Sequence, residues 1–258
     1  MKIRKEIARL IKLKKIKAVL LDLEGNLVDV EKAHHLSHLA VLRDWGVILS
    51  FDEALKMIPA FIGGPDERVA EAAVKLSKER TGEEHTIAEY LNAKGTYYKK
   101  FLREISIALR LGVPETIEWF KKIGLKIVVG SVTNTDQAKF LIEKSGLGKL
   151  IGEENFIFRE DVTHPKPDPE VVTKGASKLG VKPEEIVYFG DSPGDMRTAR
   201  NAHCPFVIAM PVFDKPELMK RLIDEGASRI FMGWTEVDFP SLFENLDQEL
   251  IDKNHQSA

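Results

Sequence analysis

The chain has 258 residues, 43% of them apolar and 30% charged, with a formal net charge of −2. That size suits one large domain or a core with an insertion, and the near-neutral balance excludes the strongly basic profile of nucleic-acid or anionic-membrane binders. A single cysteine, Cys204, excludes an internal disulfide framework and fits a reducing cytoplasm, and no apolar run is long enough to span a bilayer.

Residues 1–17 are basic, and Ile3, Ile7, Leu10 and Ile11 recur at helical spacing. The pattern predicts an amphipathic helical extension over 1–15 packed on the body, with neither the long apolar centre nor the cleavage site of a secretory signal. Residues 16–22 form a short apolar run ending in an acid and read as a buried strand, followed by a turn at Gly25. From about Glu31 to Ser106 the pattern is helical throughout. Ser50 with Glu53, and Thr86 with Glu89, have capping-box spacing.

After Gly112 the pattern alternates. Helices are predicted over 114–123, 137–144, 169–179 and 195–202. Strands are predicted over 125–130, 156–158, 186–189 and 205–209, with a further short one near 229–232. Such alternation implies a parallel sheet covered on both faces. The simplest architecture is a doubly wound, Rossmann-like α/β core over 1–30 and 109–258, interrupted by an all-helical insertion at 31–108. Cys204, just before an apolar run, reads as a small buried residue rather than a nucleophile.

In open sheets of this kind the site lies beyond the carboxyl ends of the strands. Four polar clusters occupy those positions: Asp22-x-Glu24-Gly25-Asn26; Ser131-Val132-Thr133-Asn134; Lys166 within Thr163–Pro169; and Gly190-Asp191-Ser192-Pro193-Gly194-Asp195. Asp22, Asp191 and Asp195 offer hard oxygen ligands suited to magnesium. Asp22 can attack phosphorus, Ser131 can donate to a phosphoryl oxygen, and Lys166 can balance developing negative charge. Glu24 can protonate the leaving oxygen and later deprotonate water. Singly each has a plainer reading: Ser131 or Thr133 as a helix cap, Lys166 as a loop lysine, Asp195 as a helix N-terminal acid. The combination in this order favours chemistry.

These clusters resemble the four motifs of the haloacid dehalogenase superfamily, and the chain resembles its phosphatase branch over nearly all residues beyond 16. The helical insertion is similar to the cap of the group that includes β-phosphoglucomutase and phosphoglycolate phosphatase, with Asp29, His34 and Gly46 at the matching spacing. The resemblance implies a magnesium-dependent, cytoplasmic phosphatase forming an aspartyl-phosphate on Asp22, with magnesium held by Asp22, Asp191, Asp195 and the backbone carbonyl of Glu24. It implies a small phosphorylated metabolite as substrate, no nucleic-acid or membrane partner, and a monomer or homodimer. Ser131, Thr133, Asn134 and Lys166 would meet the phosphate. His34 either faces the substrate or makes a structural bond at the hinge. Arg68 either grips a second anionic group or is a solvated helix arginine. His34 and His38 lie four apart without the further ligands zinc needs.

Two positions depart from the family's first motif: Glu24 stands for a second Asp and Asn26 for Thr. Glutamate keeps the acid on a longer arm, and a misplaced acid slows turnover. A sugar-phosphate mutase and a non-catalytic phosphometabolite-binding protein are the competing readings. Val30, where the mutase group carries Thr or Ser, favours the phosphatase.

Overall fold

The computed structural model describes residues 11–58, 60–61 and 66–256. The chain divides into two compact units, Met1–Asp29 with Ala108–Ala258, and Val30–Ile107. In chain order the elements are β1 (Ala18–Leu21), α1 (Glu31–Asp44), α2 (Phe51–Met57), α3 (Asp66–Thr81), α4 (Ile87–Glu104), α5 (Val113–Lys122), β2 (Lys126–Gly130), α6 (Thr135–Ser145), α7 (Leu147–Ile151), β3 (Phe156–Ile157), α8 (Glu170–Leu179), β4 (Ile186–Gly190), α9 (Pro193–Asn201), β5 (Phe206–Ala209), α10 (Pro216–Asp224), β6 (Arg229–Ile230) and α11 (Phe239–Gln256).

The six strands form one parallel sheet in the order β3-β2-β1-β4-β5-β6. The chain winds outward from β1 through β2 to β3, then returns to β4 on the other side of β1. This reversal opens a crevice at the carboxyl ends of β1 and β4, where open α/β sheets bind their ligands. The strands are apolar throughout because both faces are covered. On one face Ala18, Leu20, Val128, Tyr188 and Val207 pack with Val171, Val172 and Ala176 of α8 and Met196 and Ala199 of α9. The other face rests on an aromatic cluster in which Phe189 meets Trp234, Phe239 and Phe243, and Phe120 joins Trp119. All of these rings are essentially solvent-free and dominate burial on that side.

Residues 30–107 contain helices and no strand among the described residues. Both capping boxes form: Ser50 with Glu53 opens α2, and Thr86 with Glu89 opens α4. Each pair satisfies two otherwise orphaned helix-end donors. Val41, Leu42, Val69, Ala70, Ala73 and Tyr90 make the core of this unit.

The predicted N-terminal helix is not found over residues 11–17, which are irregular; residues 1–10 lie outside the described part. The physical reason is a competing acceptor. Buried Asp247 on α11 takes the backbone N–H groups of Lys14, Lys15 and Ile16 at 2.8, 2.7 and 2.9 Å. Those amides are therefore withdrawn from any helical ladder. Cys204 is half-buried, and burial pushes its thiol up to about 12, which leaves it inert as a nucleophile.

Candidate active site

Asp22 follows β1, Ser131 follows β2 and Asp191 follows β4, so three of the four polar clusters leave adjacent strands at the same edge. The backbone N–H of Asp22 extends the sheet pairing to Phe189 O at 2.9 Å. The chain then turns tightly, with Gly25 N–H donating to Val28 O at 2.9 Å. Gly25 has φ +77°, and a Cβ there would lie 2.4 Å from Asp191 Oδ2. Only glycine brings this turn against the Asp191 carboxylate.

Buried Asn26 anchors the turn. Its Nδ2 donates to Asp22 O and to Phe189 O, both at 3.1 Å, and its backbone carbonyl accepts from Trp234 Nε1 at 3.0 Å. The longer Asn amide thus does more than a threonine hydroxyl could, since it ties β1 and β4 together with two donors. Arg110 clamps the same turn from outside: its guanidinium donates to Gly25 O at 2.8 Å, Met210 O at 2.5 Å and Met232 O at 3.0 Å.

One carboxylate oxygen each from Asp22, Asp191 and Asp195 lie within 4.8 Å of one another. Asp195 sits in the first turn of α9, fixed by a capping box in which Ser192 N–H and Oγ donate to Oδ2 at 3.1 and 2.7 Å. Tyr188 OH donates to its Oδ1 at 2.9 Å. Lys166 joins the acids, donating from Nζ to Asp22 Oδ1 and, at 2.8 Å, to Asp195 Oδ1.

Two of the three carboxylates, Asp22 and Asp195, share one buried ammonium, and the charges respond accordingly. Burial pushes Asp22 up to about 7, with Lys166 opposing and Asp195 reinforcing the rise. Burial also disfavours ionised Asp195, but Lys166, Ser192 and Tyr188 outweigh it and hold this carboxyl below its usual range. Lys166 is raised well above an ordinary lysine because the two aspartates overcome its burial. The cluster is left with an excess of negative charge on hard oxygens, which is the donor set and the charge deficit that a divalent cation such as magnesium fits.

Glu24 is half-buried and its side chain lies outside that group of three. Its Oε1 accepts from Gln137 Nε2 of α6 at 2.8 Å. Ser131 is buried, with its Oγ accepting from Thr133 N–H at 3.1 Å, and Thr133 O accepts from Arg159 N–H at 3.3 Å. Asn134 is exposed and caps α6, its Oδ1 accepting from Gln137 N–H at 3.0 Å. The capping role foreseen for Ser131 or Thr133 therefore falls to Asn134.

Within the helical unit, Arg68 is exposed and its Nη1 donates to Glu71 at 3.0 Å. The buried cation there is one that the sequence did not single out, Lys94 of α4. It donates to Asp66 Oδ2 at 2.6 Å and lies 3.0 Å from His34 Nδ1. His34 also packs against Tyr98 with the rings tilted by 31° and their centroids 4.2 Å apart. His38 completes the network, with Nε2 3.3 Å from Asp66 Oδ1 and Nδ1 2.9 Å from Tyr90 OH. Burial pushes Asp66 up, but His38 and Lys94 outweigh it and hold its carboxyl far below the normal range.

A parallel sheet with an acidic cluster at its switch point is the layout of an α/β enzyme. Residues 16–203 match the family model described as haloacid dehalogenase-like hydrolase, and the chain belongs to that family. It is 28% identical over 191 residues to the pyrophosphatase PpaX of Bacillus velezensis, covering 73% of this chain and 81% of that one. It is 29% identical over 195 residues to the phosphoglycolate phosphatase of Thiobacillus denitrificans, covering 74% and 81%. A haloacid dehalogenase-like protein from Agrobacterium tumefaciens shares the fold with a TM-score of 0.72 at 20% identity, over 90% of this chain and 99% of that one.

Proposed function

We propose that this chain is a magnesium-dependent phosphatase of small phosphate monoesters, working through an aspartyl-phosphate on Asp22. The observation that carries the reading is the convergence of Asp22, Asp191 and Asp195 within 4.8 Å, with Lys166 bridging two of them. The relatives named as a pyrophosphatase and a phosphoglycolate phosphatase support phosphate-bearing substrates and hydrolysis.

In this reading Asp22, Asp191, Asp195 and the Glu24 carbonyl hold magnesium. Bound there, the ion supplies positive charge against the phosphoryl oxygens. An oxygen of Asp22 forms a bond to phosphorus as the bond from phosphorus to the ester oxygen breaks. Glu24 gives its proton to the departing alkoxide. Water then attacks the aspartyl-phosphate, Glu24 takes the water's proton, and Asp22 is released with inorganic phosphate. Lys166 and Ser131 stabilise the oxygens that gain charge during transfer. Residues 30–107 act as the cap that selects the leaving group and excludes bulk water, with Lys94 and His34 as its ordered polar pair. The protein works in the cytoplasm on a phosphorylated metabolite.

The test is phosphate release from a panel of sugar phosphates, phosphoglycolate and pyrophosphate, with and without a chelator. Turnover that needs magnesium and vanishes in Asp22→Asn supports the reading. A wild type silent across the panel, with a ligand that still raises the melting temperature, would favour the phosphometabolite-binding alternative.

A further inference from the structure

A second concave site lies at the opposite end of the sheet. The segment leading into β1, the turn before β4, the entry to β5 and the last turns of α11 enclose a groove of about 590 Å³. Asp22 sits beyond the carboxyl ends of the strands, whereas this groove sits before their amino ends. A four-residue strand separates them by roughly 13 Å, so one small ligand cannot occupy both.

The groove is lined by Lys14, Lys15, Lys17, Lys182 and Lys253, with His203 beside them. The acids in its lining are Glu184 and Glu185. Glu185 is already committed: it pairs with Lys17 and accepts the backbone N–H of Lys182 at 2.9 Å. Among the described residues, Lys14, Lys15 and Lys182 have no ion-pair partner. Their positions are built rather than incidental. Asp247 pins the backbone of Lys14 and Lys15 through two of its three amide bonds. His203 is held at φ +61°, the one described non-glycine residue in the left-handed region. Pro205 and Leu250 give the groove an apolar floor, and Lys253 lies over the Phe206 ring at 5.6 Å.

The sequence places this groove in a marked charge gradient. Residues 1–17 carry eight lysines and arginines against one glutamate, while the whole chain has 38 against 40. Among the described residues, 11–17 carry four lysines and no acid, a local positive field at the entry to β1. A concavity lined by like charges focuses that field on an anion. Lysines are mobile point charges rather than planar forks, and among the described residues no arginine lines the groove. That composition suits several phosphates along a flexible chain better than one bidentate carboxylate. The volume is within the range of small-molecule sites.

We propose that this groove is a separate binding site for an oligophosphate, either inorganic or carried by a nucleoside, independent of the chemistry at Asp22. The test titrates sodium tripolyphosphate into the full chain by calorimetry in magnesium-free buffer with chelator. Saturable binding near one equivalent is expected. The triple variant Lys14→Gln, Lys182→Gln, Lys253→Gln should weaken it at least tenfold, while Lys166→Gln should change it less than twofold. Each single substitution Lys14→Gln or Lys182→Gln should weaken it about threefold, so the outcome does not hang on the triple variant's folding. Tighter binding of adenosine triphosphate than of tripolyphosphate would assign the nucleoside form, and equal or weaker binding the inorganic one. No saturable binding, or binding lost in Lys166→Gln and unchanged in the groove variants, would overturn the proposal.

Discussion

Gln137 donates its side-chain amide to Glu24 Oε1 at 2.8 Å, joining the first turn of α6 to the turn that follows β1. Glu24 is where the sequence departs from the family motif, and the hydrogen bond supplies a physical account of the longer side chain. An acid with one more methylene has more rotamers to lose, and Gln137 restricts them. Gln137→Leu is thus expected to lower kcat about three- to tenfold with KM nearly unchanged. Glu24→Gln should cost 100-fold or more, the usual scale for a positioned acid–base group. Steady-state kinetics on the best panel substrate measures both. Wild-type kcat in Gln137→Leu would remove the positioning role.

Lys166 is the second test. It is the buried ammonium shared by Asp22 and Asp195. Removing one partner from a buried charge network strands the others, at about 3–5 kcal/mol. Lys166→Met should therefore lower both phosphatase activity and unfolding free energy in chelator. Magnesium should then raise the melting temperature of the variant more than that of wild type, because a cation relieves the larger charge excess. Equal shifts for the two proteins would argue against magnesium at these carboxylates.

The limits of the sequence have a common cause in range. Strand ends and capping boxes depend on neighbours a few residues apart, so the acids after β1 and β4 and the Ser50 and Thr86 caps were legible. The helix spacing of Phe239, Leu242, Phe243 and Leu246 is an equally local signal for α11. Lys94 carries no local mark of its burial, because its partners Asp66 and His34 lie 28 and 60 positions away. Gln137 is 113 positions from Glu24. The predicted N-terminal helix failed over 11–17 for the same reason: its competitor, Asp247, is more than 230 positions distant. Local pattern specifies elements, whereas these polar pairings exist only once the fold has formed.

His35 gives the helical unit a pH dependence. It is buried, stacked on Phe61 at 5.4 Å and edge-on to Phe51 at 5.0 Å. Burial lowers its pKa from 6.5 to about 4, with His34 and His38 adding to the fall. The unfolded chain then binds more protons than the folded one between these values. Stability from the neutral ring is complete above about pH 6.5 and is lost as pH falls toward 4. The gap amounts to at most ~3 kcal/mol. Glu31, 3.5 Å from Nε2, and the ring's residual solvent exposure offset part of it, leaving about 1–2 kcal/mol. Urea unfolding at pH 7.5, 6 and 5 should show wild type losing more stability than His35→Phe. Parallel losses would assign the acid sensitivity elsewhere.

Asn26 offers the sharpest stability test of the turn after β1. Its Nδ2 faces two carbonyls, Asp22 O and Phe189 O, in a fully buried site. Asn26→Asp keeps the shape but points an acceptor at two acceptors and buries a charge, a loss of about 3 kcal/mol or more. Asn26→Thr restores the family residue but offers one donor where two are used, so one carbonyl loses its bond, at about 1–2 kcal/mol. Denaturant unfolding should rank wild type above Asn26→Thr and Asn26→Thr above Asn26→Asp. Activity should fall in the same order, because Asp22 O is one of the two carbonyls this amide holds. If Asn26→Thr proved more stable than wild type, the two-donor tie between β1 and β4 would not be what the asparagine contributes.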